Sequence, residues 1–223
     1  MIDQKYIEHH IQKHILAYLM EHRYARFRDM RPPKTDTNLY SYHLKLLQKN
    51  LFVEKTEIGY TLTTRGMGYV DRINADSVKL SLQPKVITML VIQNGYGGTL
   101  MYQKARQPFI DQWTVPFGKV HNDDASIMEA AKREVREKIG DYDIAISHVG
   151  DCYIRVRHDY KVKISTLVHV FYGTTNEDLE TEHLKWVAPH KIPQLDIAPA
   201  VDQIVARTFF RDPYFFEEYT VDW

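Results

Sequence analysis

The chain has 223 residues, 44 % of them hydrophobic and 26 % charged, with 29 Lys+Arg balanced by 29 Asp+Glu, a composition that fits one or two soluble globular domains. No apolar run reaches the roughly 18 residues of a membrane span, and the opening MIDQKYIEHH has no apolar signal core, so the cytoplasm is the expected compartment, with no membrane partner. A lone cysteine, Cys152, excludes an intrachain disulfide framework and a cysteine-based zinc cluster.

The charge is unevenly spread. Residues 1–75 hold 12 Lys+Arg against 8 Asp+Glu, and the remainder holds 17 against 21. A mildly basic front and a mildly acidic back fit two domains with different partners. The expected division is a first domain over 1–75, a linker over 76–84, a second domain over 85–212 and an aromatic, acidic tail over 213–223.

In the front part, Ile7, Ile11, Ile15, Tyr18 and Leu19 share one helical face, predicting a helix from Gln4 to His22. A short second helix over Tyr24–Met30 is expected to stop before Pro32-Pro33, because the residue preceding a proline is driven out of helical angles. Thr35, Asp36 and Thr37 offer N-caps for a third helix. Its buried stripe is Tyr40, Leu44, Leu47 and Leu51, which leaves Asn38, Ser41, Tyr42, Lys45 and Gln48 facing outward. LFVEK and GYTLT read as two short strands around a turn at Ile58-Gly59, and a last helix runs from Thr64 to Ile73. His10 and His14 stand one turn apart, a spacing that can hold a metal, but no third ligand is evident nearby.

TNLYSYHLKLLQKNLFVEKTEIGYTLTTRG resembles the winged helix-turn-helix families of bacterial transcriptional regulators. The resemblance implies a third helix that enters the major groove of operator DNA. Asn38, Ser41, Tyr42 and Lys45 would face bases and phosphates, and Lys55 and Thr56 would lie on the wing. A role limited to protein contacts or dimerisation is the competing reading of the same pattern.

From Val86 the pattern changes to strands. VITMLVIQ, TLMYQKAR, CYIRVRHD, KVKISTLVHVFYG and LKWV are separated by turn signals, with a helix over APAVDQIVARTFF, and this mixture indicates an α/β sandwich. The central stretch is GKVHNDDASIMEAAKREVREKIG, Gly118 to Gly140. Ser126 and Glu129 have capping-box spacing. Ile127, Ala130, Ala131, Val135 and Ile139 form the apolar stripe, and Gly140 is the stop. Arg133, Glu134, Glu137 and Lys138 lie on the other face, either as a seat for a divalent cation with phosphates or as a solvated salt-bridge face.

This stretch resembles the Nudix hydrolase signature, G-x5-E-x7-R-E-U-x-E-E-x-G-U with U aliphatic. The matching residues are Gly118, Arg133, Glu134, Val135, Glu137 and Gly140, and WTVPFGKV upstream and HLKWV downstream agree with it. The resemblance implies a Nudix α/β/α sandwich with a mixed sheet, phosphate chemistry at the loop–helix element, and Mg2+ held mainly by the glutamate after the arginine and the residue one full turn later, which are Glu134 and Lys138 in this chain, with Glu137 left to hold the metal beside Glu134. The departures are a loop one residue longer, Ala125 or Asp124 in place of the first glutamate, Asp141 in place of the last aliphatic, and Lys138 in place of the second glutamate of the pair. An ammonium cannot ligate a metal, so Mg2+ binding is expected to be weak or lost. Gly118, Lys119, Lys138, Trp113, Phe109, Arg155 and Arg157 are the candidates for holding a ligand.

Two readings follow from these resemblances. One is a DNA-binding regulator, expected as a homodimer, whose degenerate Nudix domain binds a nucleotide or nucleoside-diphosphate-sugar-like effector. The other is a Mg2+-dependent pyrophosphohydrolase of nucleoside diphosphate derivatives, with Arg133, Glu134 and Glu137 as its catalytic residues and an accessory front domain. The tail DPYFFEEYTVDW either joins a dimer interface or packs on its own domain.

Overall fold

His9 opens the first helix in a computed structural model that describes residues 7–74, 79–80, 83–210 and 214–223. Its Nδ1 accepts the Ile11 amide while Gln12 Oε1 accepts the His9 amide, so two orphan donors of the first turn are satisfied reciprocally. The helix, α1, is His10–Glu21 and buries Ile11, Ile15, Leu16 and Leu19. Residues 4–6 of the expected helix lie outside the described residues.

The expected helix over Tyr24–Met30 is absent. Ala25 instead exchanges both backbone hydrogen bonds with Tyr60, at 3.0 and 2.8 Å, and residues 27–30 form a turn. A backbone group already paired in a bridge cannot also serve a helical ladder, and the bridge wins here. Asp36 then caps α2, Thr37–Lys49, accepting from the amides of Asn38 and Leu39. Tyr40, Leu44 and Leu47 are buried, but Leu51 is not, at 63 % exposure. The helix ends at Asn50, and Leu51 adopts the left-handed region (φ 59°), which turns it out of the stripe. Next come β1, Val53–Lys55, and its antiparallel partner β2, Tyr60–Leu62. Helix α3, Thr64–Val70, is shorter than expected and is capped by the Thr63 hydroxyl. Backbone pairing joins β3, Ile73–Asn74, to β4, Lys79–Leu80. Most of the expected linker, residues 76–78 and 81–82, lies outside the described residues.

The chain divides into two compact units, Met1–Gln83 and Pro84–Trp223. In the second unit the strands are β5 (Lys85–Gln93), β6 (Thr99–Gln103), β7 (Trp113–Thr114), β8 (Phe117–Lys119), β9 (Ile146–His158), β10 (Lys161–Thr174), β11 (Leu184–Val187) and β12 (Phe215–Asp222). They form one eight-stranded sheet in the order β11-β6-β5-β10-β9-β12, with β7 on β6 and β8 on β5. The β10–β5 and β12–β9 pairs are parallel and the other pairs antiparallel. The helices are α4 (Ile127–Lys138) and α5 (Val201–Phe209), with a 3-10 turn at Pro189–Gln194.

β5 is buried from Ile87 to Gln93 because both of its faces are covered. Leu90, Ile92 and Phe171 join Ala131 and Val135 of α4, while Val91, Val168 and Val170 join Ile204 and Val205 of α5. This is an α/β/α sandwich with a mixed sheet. The expected tail is the strand β12, whose Phe215 is buried in the core on the α5 side. Among the described residues no helix is long and apolar enough to cross a membrane.

The β9–β12 pairing depends on a bare backbone at Gly150, where an added methyl would lie 2.5 Å from Phe215 Cδ1. Gly150→Ala is therefore expected to cost about 1–3 kcal/mol, as overpacking does, in urea denaturation. A change within error would show that β12 does not sit in this register.

Candidate functional site

Helix α4 starts where Ser126 Oγ accepts the Glu129 amide at 3.1 Å. Only this half of the expected capping box forms, because the Glu129 carboxylate turns to Lys132 Nζ at 2.9 Å. The helix stops at Gly140, whose φ of 127° suits a residue without Cβ. Ala130, Ala131, Val135 and Ile139 are buried as expected, and Glu134 is buried with them at 3 % exposure.

Arg133 organises the site. Its Nε and Nη2 hold the two oxygens of Asp124 at 3.0 and 2.9 Å, a bidentate fork. Nη2 also donates to the Lys119 carbonyl at 2.8 Å, and Nη1 reaches Glu134 at 2.5 Å and Glu137 at 3.5 Å. Asp124 Oδ2 accepts the His121 amide at 2.7 Å. The Arg133 fork and this amide hold the Asp124 carboxyl at about 2, below its usual 3.8. Burial raises the pKa of Glu134 despite the Arg133 charge beside it. Gly118 is the floor under Glu134, since a methyl there would lie 1.7 Å from Glu134 Cδ.

These groups border a cavity of about 740 Å³. Its cationic lining consists of Lys85, Lys104, Arg106, Lys119, Arg133 and Lys138, against the two carboxylates of Glu134 and Glu137. Burial, then the charges of Lys85 and Lys138, push the pKa of Lys104 down. Lys104 Nζ lies 4.4 Å from the Phe117 ring centroid, and Lys138 Nζ lies 5.5 Å from that of Tyr102. Lys138 thus projects into the cavity, where the family pattern has a carboxylate. Such a lining attracts an anion with several charges, such as a diphosphate, and the apolar wall of Ile87, Met89, Ile154, Val156 and Phe109 suits a flat organic group.

Of the residues named from the sequence, Gly118, Lys119, Arg133, Glu134, Glu137, Lys138 and Phe109 border this cavity. Trp113, Arg155 and Arg157 do not, and they are corrected here. Trp113 is half-buried on β7 with Lys185 Nζ 5.5 Å from its ring centroid. On β9, Ile154 and Val156 face the cavity, so strand alternation turns Arg155 and Arg157 to the opposite face. There Arg157 forms a fork with Asp222 at 2.9 and 2.8 Å, and Arg155 is 3.9 Å from Glu218. Asp124 as Arg133's partner and Lys85, Lys104 and Arg106 as cavity cations were not singled out from the sequence. An extra residue in the loop was the one sign that Asp124 takes the missing glutamate's place.

In the first unit, Asn38, Tyr42 and Lys45 are exposed on α2 and Ser41 is half-buried there. Lys55 is exposed on β1, and the Thr56 hydroxyl donates to the Gly59 carbonyl at 2.9 Å.

A mixed sheet between helices, with a loop–helix element that aims an arginine and carboxylates into a cationic cavity, defines the class of α/β sandwich. The NUDIX domain model matches residues 83–208, more than half of the chain, and the protein belongs to the NUDIX family. It is similar to the NUDIX domain of Shewanella oneidensis NrtR complexed with ADP ribose, at 14 % identity and a TM-score of 0.50, over 67 % of this chain and 99 % of that one. S. oneidensis NrtR complexed with a 27mer DNA aligns at 14 % identity and a TM-score of 0.47, over 55 % of this chain and 59 % of that one. The MutT protein of Methanosarcina mazei Go1 aligns at 24 % identity and a TM-score of 0.46, over 57 % and 95 %. Comparison with curated proteins returns no match.

Hydrolases of this family generally use divalent metals such as Mg2+. The donor set here does not fit a catalytic Mg2+. Glu134 is buried and bound by Arg133, Asp124 is taken by the same guanidinium, and Lys138 brings an ammonium where a hard cation needs oxygen.

A carboxyl with a depressed folded pKa contributes stability that is complete above its unfolded value and is lost as pH falls through the folded one. The Asp124–Arg133 fork is therefore expected to hold above about pH 4 and to release between about pH 4 and pH 2. Urea titrations over this range are expected to show a steeper loss for the wild-type chain than for Asp124→Asn. Parallel curves would show that the fork is not formed.

Proposed function

We propose that this protein is a DNA-binding transcriptional regulator. Its NUDIX domain binds a nucleotide-derived effector of the nucleoside-diphosphate-sugar type and hydrolyses it weakly or not at all. The observation that carries this reading is Lys138: it lines the cavity where the family pattern has its second metal-binding carboxylate. The ammonium joins Lys85, Lys104 and Lys119 in neutralising phosphates, which an unmetallated site must do with its own side chains.

Diphosphate oxygens meet these lysines, with Arg133 free to contribute only what Asp124, Glu134 and Glu137 leave of its charge. The sugar or base lies against Phe109 and the apolar wall. The ADP ribose held by the NrtR NUDIX domain is a ligand of this chemical class.

The DNA-binding part of the proposal is a winged helix in the first unit. In it α2 offers Asn38, Ser41, Tyr42 and Lys45 to a major groove, and the β1–β2 turn offers Lys55 and Thr56 to the backbone. The NrtR chain complexed with DNA supplies a precedent for a NUDIX protein on DNA, for that protein alone. A homodimer in the cytoplasm suits this role, since two half-sites multiply a modest single-domain affinity. An effector shifts DNA affinity only by binding one conformational state more tightly than the other.

The hydrolase reading rests on one observation. Glu137 lines the cavity next to Glu134, and its side chain is 53 % exposed and open to an incoming ion. Weak Mg2+ binding there would leave residual pyrophosphohydrolase activity.

Cleavage of the diphosphate bond of ADP-ribose, nucleoside triphosphates and dinucleotides with Mg2+ or Mn2+, read as the nucleoside monophosphate released, is expected to stay near background, while calorimetry detects ADP-ribose binding. A turnover of about one per second, low in the usual enzyme range, would overturn the loss of hydrolysis. Lys138→Glu is expected to raise Mg2+ affinity and to lower ADP-ribose affinity; an unchanged pair of values would remove Lys138 from the site. For DNA, gel shifts with sequence around the protein's own gene are expected to weaken at least tenfold in Lys45→Ala and Tyr42→Ala. Undiminished shifts in both would discard the groove assignment.

A further inference from the structure

The face of β9 turned away from the cavity carries a second cluster, His148, Asp151 and His169. Asp151 and His169 are directly paired across the β9–β10 ladder. His148 is three residues from Asp151, a separation that in a regular strand would put the two on opposite faces. A register shift at Val170/Phe171 inserts one extra β9 residue there and brings His148 round to the side of Asp151. The bulge thus assembles the cluster.

The three side chains converge. His148 Nε2 lies 2.8 Å and His169 Nδ1 2.7 Å from the same oxygen, Asp151 Oδ1. The other oxygen is held separately, by the Tyr214 hydroxyl at 2.5 Å. The ring of His148 stacks on Phe171, with centroids 4.9 Å apart, and meets Tyr214 edge-on at 5.4 Å. The His148 imidazole is thereby fixed in orientation by neighbours that are not themselves ligands, while His169 is held by Asp151 and meets the His148 ring edge-on at 5.4 Å. Side-chain exposure is 32 % for His148, 21 % for Asp151 and 15 % for His169, so the cluster is sheltered but open to solvent on one side.

We infer that His148, Asp151 and His169 form a binding site for one divalent transition-metal ion of the Zn2+ class, separate from the NUDIX cavity. Each residue offers one ligand atom, and these atoms all lie within 4.8 Å of one another. Two imidazole nitrogens and one carboxylate oxygen are a borderline donor set. It suits Zn2+ or Co2+ and is poor for Mg2+ or Ca2+, which require mostly oxygen. Three protein ligands leave the fourth tetrahedral position to water.

Without metal, protons on the two imidazole nitrogens occupy the space between them and Asp151 Oδ1. On binding, those protons leave to solvent, each ring carries its one remaining proton on the nitrogen that does not face the ion, and the two nitrogens and the oxygen move apart to bond it. Tyr214 acts from outside the ligand set by orienting the carboxylate, the role that hydrogen-bonded partners of metal ligands commonly play. Tyr214 immediately precedes β12, so an ion on Asp151 reinforces the attachment of the last strand of the sheet.

The test uses the full chain, stripped with EDTA and titrated with Zn2+ against a chromophoric chelator, with Co2+ as a spectroscopic probe. One equivalent of Zn2+ is expected at this site, accompanied by a visible Co2+ absorption typical of nitrogen and oxygen ligation, and an excess of Mg2+ does not compete. His169→Ala and Asp151→Asn are expected to lower Zn2+ affinity more than about 100-fold and to abolish the Co2+ band. Tyr214→Phe keeps all three ligands and is expected to lower affinity about tenfold, in the range of lost outer partners. His14→Ala, on α1, leaves the band unchanged. Asp151→Asn preserves the shape of the side chain, so its circular dichroism matches the metal-free wild type and misfolding is excluded as the cause of lost binding. A chain that binds no Zn2+, or binds it equally well in His169→Ala and Asp151→Asn, would leave a hydrogen-bonded network only and overturn the inference.

Discussion

Glu134 is a carboxylate buried at 3 % exposure within the apolar stripe of its helix, and the rest of the NUDIX site follows from how that charge is tolerated. An isolated buried carboxylate is costly enough to protonate or to unfold its surroundings. Arg133 offsets that cost at 2.5 Å, but a guanidinium drawn to one carboxylate needs the rest of its donors satisfied as well. Asp124 and the Lys119 carbonyl do this from the loop before the helix. The loop is therefore tied to the helix by charge, and Gly118 must lack a side chain because the carboxylate occupies the space above it. One buried negative charge thus dictates the helix face, the loop conformation and the glycine.

The same chain of dependence explains why this site reads poorly as a catalytic metal centre. Two of its three carboxylates are already committed to Arg133. The remaining one, Glu137, touches the guanidinium at 3.5 Å, and the helix position one residue later carries an ammonium. A multiply charged anion meets a different environment, because the cavity gathers cations: burial, then repulsion from Lys85 and Lys138, lowers the pKa of Lys104. Phosphate oxygens relieve that repulsion, so the cavity's own electrostatics favour an anionic occupant over a cationic one.

The sequence made the sandwich legible because its signals are local. The stripe of α4, the stop at Gly140 and the alternation along β9 and β10 each depend on residues within one or two turns of each other. Helix α2 and the β1–β2 hairpin were legible for the same reason. What failed depended on partners distant in sequence. Residues 24–30 looked helical until Tyr60 claimed the backbone of Ala25. Leu51 kept the helical period but fell beyond a stop that only the left-handed backbone reveals. Arg155 and Arg157 were plausible phosphate ligands by residue type, and only the register of β9 assigns them to the far face, where β12 supplies Glu218 and Asp222. In the site itself the signature residues were legible, whereas Asp124 and the three cavity cations were not. Asp124 sits in a loop of non-standard length, and Lys85, Lys104 and Arg106 come from strands and loops with no signature of their own.

β9 shows how one strand serves two unrelated environments. From Cys152 to Val156 the even-numbered residues are buried on the cavity and α5 side, and the odd-numbered residues face the other way. Strict alternation to the start of the strand would leave Asp151 with His169 alone. The bulge adds His148, and with it a second imidazole on the same carboxylate oxygen. Hydrogen bonds to a sheltered carboxylate contribute about 1.5–3 kcal/mol each, so the cluster also helps to hold the bulge in place. The distortion brings two histidines onto one oxygen of Asp151, with the hydroxyl of Tyr214, just before β12, on the other, and so places three ligand atoms together on a face that the NUDIX cavity does not use.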